Sequence, residues 1–172
     1  KVLLEHNANV HVRDEKGQTP LLLACQNRNE LVIKVLLEHK ASVKVTDPNG
    51  QSPLHIACKK CCSKDIIRTL LEHKVNVNET DQHGQTPLHI ACECNSKAIK
   101  LLLEYNANVN ITDQCGLTPL LISCVYNRKA IKALLENNAN VYVTNQHGQT
   151  PLHVACNNCC SKDIIRALLE HK

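Results

Sequence analysis

The stretch Asp81-Gln-His-Gly-Gln-Thr-Pro-Leu-His-Ile-Ala-Cys92 decides how the rest of the chain is read. Asp-x-x-Gly is turn chemistry, because the Asp side chain bonds its own backbone and Gly accepts a positive φ. Thr86 then stands where a helix N-cap is expected, with Pro87 at the first helical position. The same grammar recurs as DEKGQTPL from Asp14, DPNGQSPL from Asp47, DQCGLTPL from Asp113 and NQHGQTPL from Asn145, at intervals of 33, 34, 32 and 32 residues. All five glycines, Gly17, Gly50, Gly84, Gly116 and Gly148, fall at the one turn position. A short apolar helix follows each turn. A polar break comes next, then a second helix with the spacing of Ile67, Leu70 and Leu71, which puts one apolar face inward.

A fixed period near 33 residues is the signature of a repeat architecture, and the composition agrees. The 172 residues contain no Phe, Trp or Met and only three Tyr. A compact globule of this length normally fills its centre with aromatics. An elongated stack has no deep centre, and Leu, Ile, Val, Ala and Cys suffice. The formal net charge of +4 is too mild and too dispersed to point to nucleic acid. No apolar run is long enough to span a bilayer. Eleven cysteines, an odd number set among helical patterns, read as free thiols in a reducing, intracellular compartment, cytoplasmic rather than nuclear.

The signature T-P-L-H-x-A stands complete at Thr86–Ala91 and Thr150–Ala155, and with Ser for Thr at Ser52–Ala57. On these residues the chain resembles the ankyrin repeat family over its whole length. The resemblance implies an all-α repeat solenoid of helix-turn-helix units joined by β-hairpin-like loops. The expected single domain spans 1–172, with a partial unit at 1–13 and units at 14–46, 47–80, 81–112, 113–144 and an incomplete 145–172. The chain starts within a second-helix pattern at Lys1 and stops within another at Lys172. Without the polar terminal units that solenoids need, it is expected to be a piece of a longer array. The second helices should end on left-handed residues. Asn7, Asn106 and Asn138 suit that position, where the family usually has Gly. Lys40 and Lys74 suit it less, so those junctions should be weaker. The unit from Asp47 matches that from Asn145, and the unit from Asp14 matches that from Asp113, at offsets of 98 and 99 residues. A block of three units copied as one accounts for this.

HIACKKCC at 55–62 and HVACNNCC at 153–160 have the look of ligand clusters. In register they do not. By the resemblance, His55, His89 and His153 are structural signature residues that bond the hairpin and the cap. Cys25, Cys58, Cys92, Cys124 and Cys156 are read as core fillers. Cys61, Cys62, Cys159 and Cys160 are read as lining a lengthened turn between helices, with Ser63 and Ser161 capping the second helix beside Asp65 and Asp163. No metal or other cofactor is expected, since one straight helix cannot wrap a tetrahedral ion. Leu22 and Leu121 replace the signature His in the other two matched units. The basic residues Lys34, Lys64, Arg68, Lys97, Lys100, Lys129, Lys132, Lys162 and Arg166 fall on second helices as a solvated outer face.

No paired carboxylates, phosphate loop or nucleophile elbow emerges, so the expected function is non-catalytic. The resemblance implies a monomeric scaffold that binds a partner protein through the concave face of the solenoid, with no nucleic acid and no membrane insertion. On that face most units are polar. The unit from Asp113 departs, with Cys115, Leu117, Val125 and Tyr126 at the contact positions, Cys94 in the unit before it, and His83 and His147 on either side. Exposed apolar groups rimmed by polar ones mark an interaction site, and Tyr is a favoured anchor. The alternatives are a metal- or thiol-dependent role at the H-x-x-C-x-x-C-C clusters, or service as the recognition module of a larger enzyme or channel.

Overall fold

The computed structural model describes residues 8–171. Lys1, Asn7 and Lys172 lie outside the described residues. Among the described residues ten helices are arranged as five pairs: α1 (Pro20–Gln26) and α2 (Glu30–Glu38), α3 (Pro53–Lys59) and α4 (Lys64–Glu72), α5 (Pro87–Cys94) and α6 (Ser96–Glu104), α7 (Pro119–Tyr126) and α8 (Arg128–Glu136), α9 (Pro151–Asn157) and α10 (Lys162–Glu170). The first helices α1, α3, α5, α7 and α9 pack in one row, and the second helices in another. The chain is therefore an all-α solenoid of two layers.

Each helix has seven to nine residues. Helices this short are marginal alone in water, so packing must hold them. One apolar cluster runs the length of the molecule, from Val10 through Leu54, Leu88 and Leu120 to Leu168. Every first helix begins as the turn-cap-proline grammar predicts. Thr19, Ser52, Thr86, Thr118 and Thr150 all accept a backbone N–H at the helix start.

The loops between units hold no strand among the described residues. Each is a tight turn closed by two backbone bonds, such as Asp81 N–H to Gln85 O at 2.9 Å and Gly84 N–H to Asp81 O at 3.0 Å. The Asp81 carboxylate accepts from the backbone of His83 and Gln85 as well, at 2.9 and 3.0 Å. Gly50 has φ +74°, and a Cβ there would stand 3.0 Å from the Gln82 backbone nitrogen in the next loop. Glycine is needed at this turn for its dihedral and for the close approach of neighbouring loops. The approach is used: Gln82 N–H donates to Asn49 O at 3.1 Å, and Gln114 N–H to His83 O at 3.0 Å.

Lys40, Lys74, Asn106 and Asn138 all adopt φ between 58° and 62°, so the left-handed helix ends stand where the sequence places them. The turns within pairs vary in length, as the spacing predicts. Asn95 and Asn127 alone bridge α5 to α6 and α7 to α8, whereas residues 27–29, 60–63 and 158–161 bridge the other three pairs. In the longer turns one residue is left-handed, Arg28 at φ 55°, Cys61 at 52° and Cys159 at 52°. Ser63 caps α4 by accepting from Ile66 N–H at 3.3 Å. Its copy Ser161 makes no side-chain cap bond, which corrects that expectation. The basic residues of the second helices are exposed, as expected of an outer face.

Two stability predictions follow from these positions. A left-handed residue with a side chain costs about 1–2 kcal/mol relative to glycine. Lys40→Gly and Lys74→Gly are therefore each expected to raise the chemical-denaturation midpoint, by about 1 kcal/mol in free energy. Ser123 stands where the other units have Ala and is fully buried, and its Oγ has no nitrogen or oxygen hydrogen-bond partner among the described residues, only the weakly bonding Cys92 thiol beside it. Because a buried unpaired hydroxyl costs about 1–3 kcal/mol, Ser123→Ala is expected to raise the melting temperature, and an unchanged or lower value would count against the account.

Candidate partner-binding face

The face in question is built from the loop tips and the first helices, and the signature histidines set its geometry. Thr86 N–H donates to His89 Nδ1 at 3.1 Å, and the Thr86 hydroxyl lies 2.8 Å from the same nitrogen. His89 N–H in turn donates to Thr86 Oγ at 3.4 Å, which completes a reciprocal cap. The far nitrogen, Nε2, lies 3.1 Å from Leu117 O in the next unit. His55 does the same, with Nδ1 accepting from Ser52 N–H at 3.2 Å and Nε2 at 2.9 Å from Gln85 O. A nitrogen that accepts a backbone N–H carries no proton, so both rings are neutral with the proton on Nε2.

Burial holds both imidazoles below their ordinary range. The carbonyls of Gln85 and Leu117 pull the other way, as do the carboxylates of Asp81 and Asp47 near His55 and of Asp113 and Asp81 near His89. His153 makes the same local cap, with Nδ1 2.8 Å from Thr150 Oγ, yet it is exposed and its Nε2 meets no carbonyl among the described residues. The reading of Cys156 as core filler is corrected for the same reason. Cys25, Cys58, Cys92 and Cys124 are fully buried, while Cys156 is exposed and lines an open recess with Gln149, Leu152 and His153. The next unit, not the residue's own, covers this position, and no helix pair packs beyond α9 and α10 among the described residues.

Leu117, Val125 and Tyr126 come together as expected. With Asn145, Asn157 and Asn158 they line a recess of about 260 Å³ between the units from Asp113 and Asn145. Val125 is 42% exposed and Tyr126 65%, among the most exposed large apolar side chains described. Leu117 is half-buried against the core. The other expected residues do not join them. Cys94 lies in a separate recess of about 380 Å³ with Gln51, Lys59, Gln85, Ile90 and Glu93. His83, Cys115 and His147 are exposed at loop tips outside the apolar recess. The tips are laced by glutamine amides, Gln114 Nε2 to Gln82 O at 2.9 Å and Gln146 Nε2 to Gln114 O at 2.8 Å.

Among the described residues no three His, Cys, Asp or Glu side chains converge in a way that could hold a metal. His55 is committed to two bonds, Cys58 is fully buried, and Cys61 and Cys62 part company: Cys62 turns into the core and Cys61 stays exposed. Burial raises the thiols of Cys25 and Cys58 well above their ordinary range, and those of Cys92 and Cys124 to about 12. These four are packing groups and poor nucleophiles. No helix is long and apolar enough to cross a membrane among the described residues.

The histidine network has a pH consequence. With the folded-state rings held below the free imidazole value, the unfolded chain binds more protons as pH falls under about 6.5, and stability drops through that window. The melting temperature is expected to fall between about pH 7.5 and about pH 5. The slope should be shallower in His55→Leu/His89→Leu, which borrows the residue that Leu22 and Leu121 supply in sister units. Equal slopes would remove these two rings as the cause.

No curated protein matches the chain. A family profile described as ankyrin repeats (3 copies) matches it three times, over residues 1–81, 30–113 and 98–172. These matches leave no part of the sequence uncovered, and they agree with the paired helices, the turn-cap-proline starts and the histidine caps. The chain belongs to the ankyrin repeat family.

Proposed function

We propose that this array is a non-catalytic scaffold that binds a partner protein through the loop-tip and first-helix face, anchored at Leu117, Val125 and Tyr126. Ankyrin repeats are in general protein–protein interaction modules. The observation that carries the more specific reading is the exposure of Val125 and Tyr126, 42% and 65%, over a recess whose floor is the half-buried Leu117. At the equivalent places the other units put Gln, Asn, Lys, Glu or Cys. A side chain such as Tyr126 brings large contact area at low entropic cost, and the asparagines around it supply an adaptable polar rim. Cys115, His83, His147 and Cys94 would meet the edges of the same partner. The outer layer of exposed Lys, Arg and Glu on the second helices keeps the opposite side solvated.

The sister unit supplies the control. Leu117→Gln/Val125→Asn/Tyr126→Asn installs the residues that Gln149, Asn157 and Asn158 already provide in a folded unit. The Leu117 carbonyl that receives His89 is backbone and survives the change. A photocrosslinking side chain at exposed Cys115 is expected to capture a partner with the unaltered recess and at least about tenfold less with the triple variant, as the loss of a hot spot requires. Equal capture, with circular dichroism and melting temperature preserved, would overturn the anchor.

A further inference from the structure

The two copies of the cysteine-rich stretch differ in what they touch. Cys61 sits in the left-handed turn between α3 and α4, and its thiol reaches across the unit boundary to Cys94 O at 3.1 Å. Cys94, the last residue of α5, reaches back: its Sγ lies 3.7 Å from Cys58 O, 3.9 Å from Lys59 O, and 3.2 Å from Ile90 O. The Cys61 thiol thus lies against the Cys94 main chain while the Cys94 thiol lies against the end of α3 that leads into Cys61, and both residues are exposed. Cys159 repeats the conformation of Cys61, with φ 52°, but no thiol faces it among the described residues. The Cys94 position holds Asn27, Lys60, Tyr126 and Asn158 in the other units.

We propose that Cys61 and Cys94 are a redox-modification site, where a hydroperoxide converts the dithiol into a disulfide that staples two adjacent units together. In the first step the Cys61 sulfur attacks the peroxide. The O–O bond breaks, Cys61 becomes a sulfenic acid, and the departing oxygen leaves as water or alcohol. In the second step the Cys94 sulfur attacks the Cys61 sulfur, the S–O bond breaks, and its hydroxide takes the Cys94 proton to leave as water. Two thiols lose one electron each and the peroxide gains two. Burial, with the Cys61 sulfur next to it, pushes the Cys94 thiol up to about 11. Cys94 therefore carries little thiolate at neutral pH, so it is not the sulfur that meets the peroxide and it resolves the sulfenic acid slowly, while the buried thiols stay out of the reaction. The crosslink would lie at the rim of the recess lined by Gln51, Lys59, Gln85, Ile90 and Glu93, so oxidation would reshape one end of the first-helix face.

The test treats the reduced full chain with hydrogen peroxide, blocks the remaining thiols, and maps tryptic peptides without reduction. The expected product joins the peptide 61–64 to the peptide 75–97 through Cys61 and Cys94. It should vanish in Cys61→Ser and in Cys94→Asn, which takes the residue of sister units, and persist in Cys159→Ser. The oxidised protein should also melt higher than the reduced one, and reductant should reverse the shift. A Cys61–Cys62 disulfide, or a Cys61 oxidised to sulfinic acid with no crosslink, would overturn the proposal.

Discussion

The bond that most directly couples one unit to the next joins the signature imidazoles of His55 and His89 to the unit that follows each of them. His55 closes the cap of its own helix with one nitrogen and holds Gln85 O with the other, 30 residues further on. His89 does likewise for Leu117. One side chain therefore finishes a local element and fixes where its neighbour sits. It does so only while neutral and only while dry, and burial supplies both conditions. Helices of seven to nine residues persist through packing, because each hides its apolar side only against the units on either flank, and the imidazole bonds add to that coupling where they occur.

From this constraint follows the division of labour along the chain. Positions facing the next unit are held to small or aliphatic residues. The loop tips need glycine where adjacent backbones approach. The residues left free to vary lie on the loop tips, on the end of the first helix and on the outer layer. The apolar recess at Leu117, Val125 and Tyr126 and the thiol pair at Cys61 and Cys94 both fall on these free positions, at unit boundaries. Recognition and modification chemistry can change there without disturbing the caps that hold the stack.

The fold was legible because its causes are local. Turn, cap, proline and period are each written in a few adjacent residues, and left-handed Lys40 and Lys74 could be placed from spacing alone. The site was legible in part. Leu117, Val125 and Tyr126 share a recess because they occupy fixed positions of adjoining elements in one unit. Cys94, His83, Cys115 and His147 stand apart from it, since their positions lie on other tips or another boundary. The partnership of Cys61 with Cys94 left no trace in either stretch by itself, as it spans 33 residues and two units.

The copied stretches HIACKKCC and HVACNNCC mark the limit of sequence reading for this protein. The sequence by itself determined that each begins as a capped helix with a histidine bound to its N-cap, and that each ends in a lengthened turn lined by cysteines; the left-handed conformation of Cys61 and Cys159 came from the structure. Tertiary structure alone decided what became of them. His55 and Cys58 are sealed beneath the next unit, while His153 and Cys156 lie in the last described unit, with no further unit packed over them among the described residues. Cys61 reaches the main chain of Cys94 in the next unit, and Cys159 has no such contact among the described residues. The reason is physical: in a stack, local conformation comes from the residue's own unit, but burial, protonation and partners come from the unit packed against it.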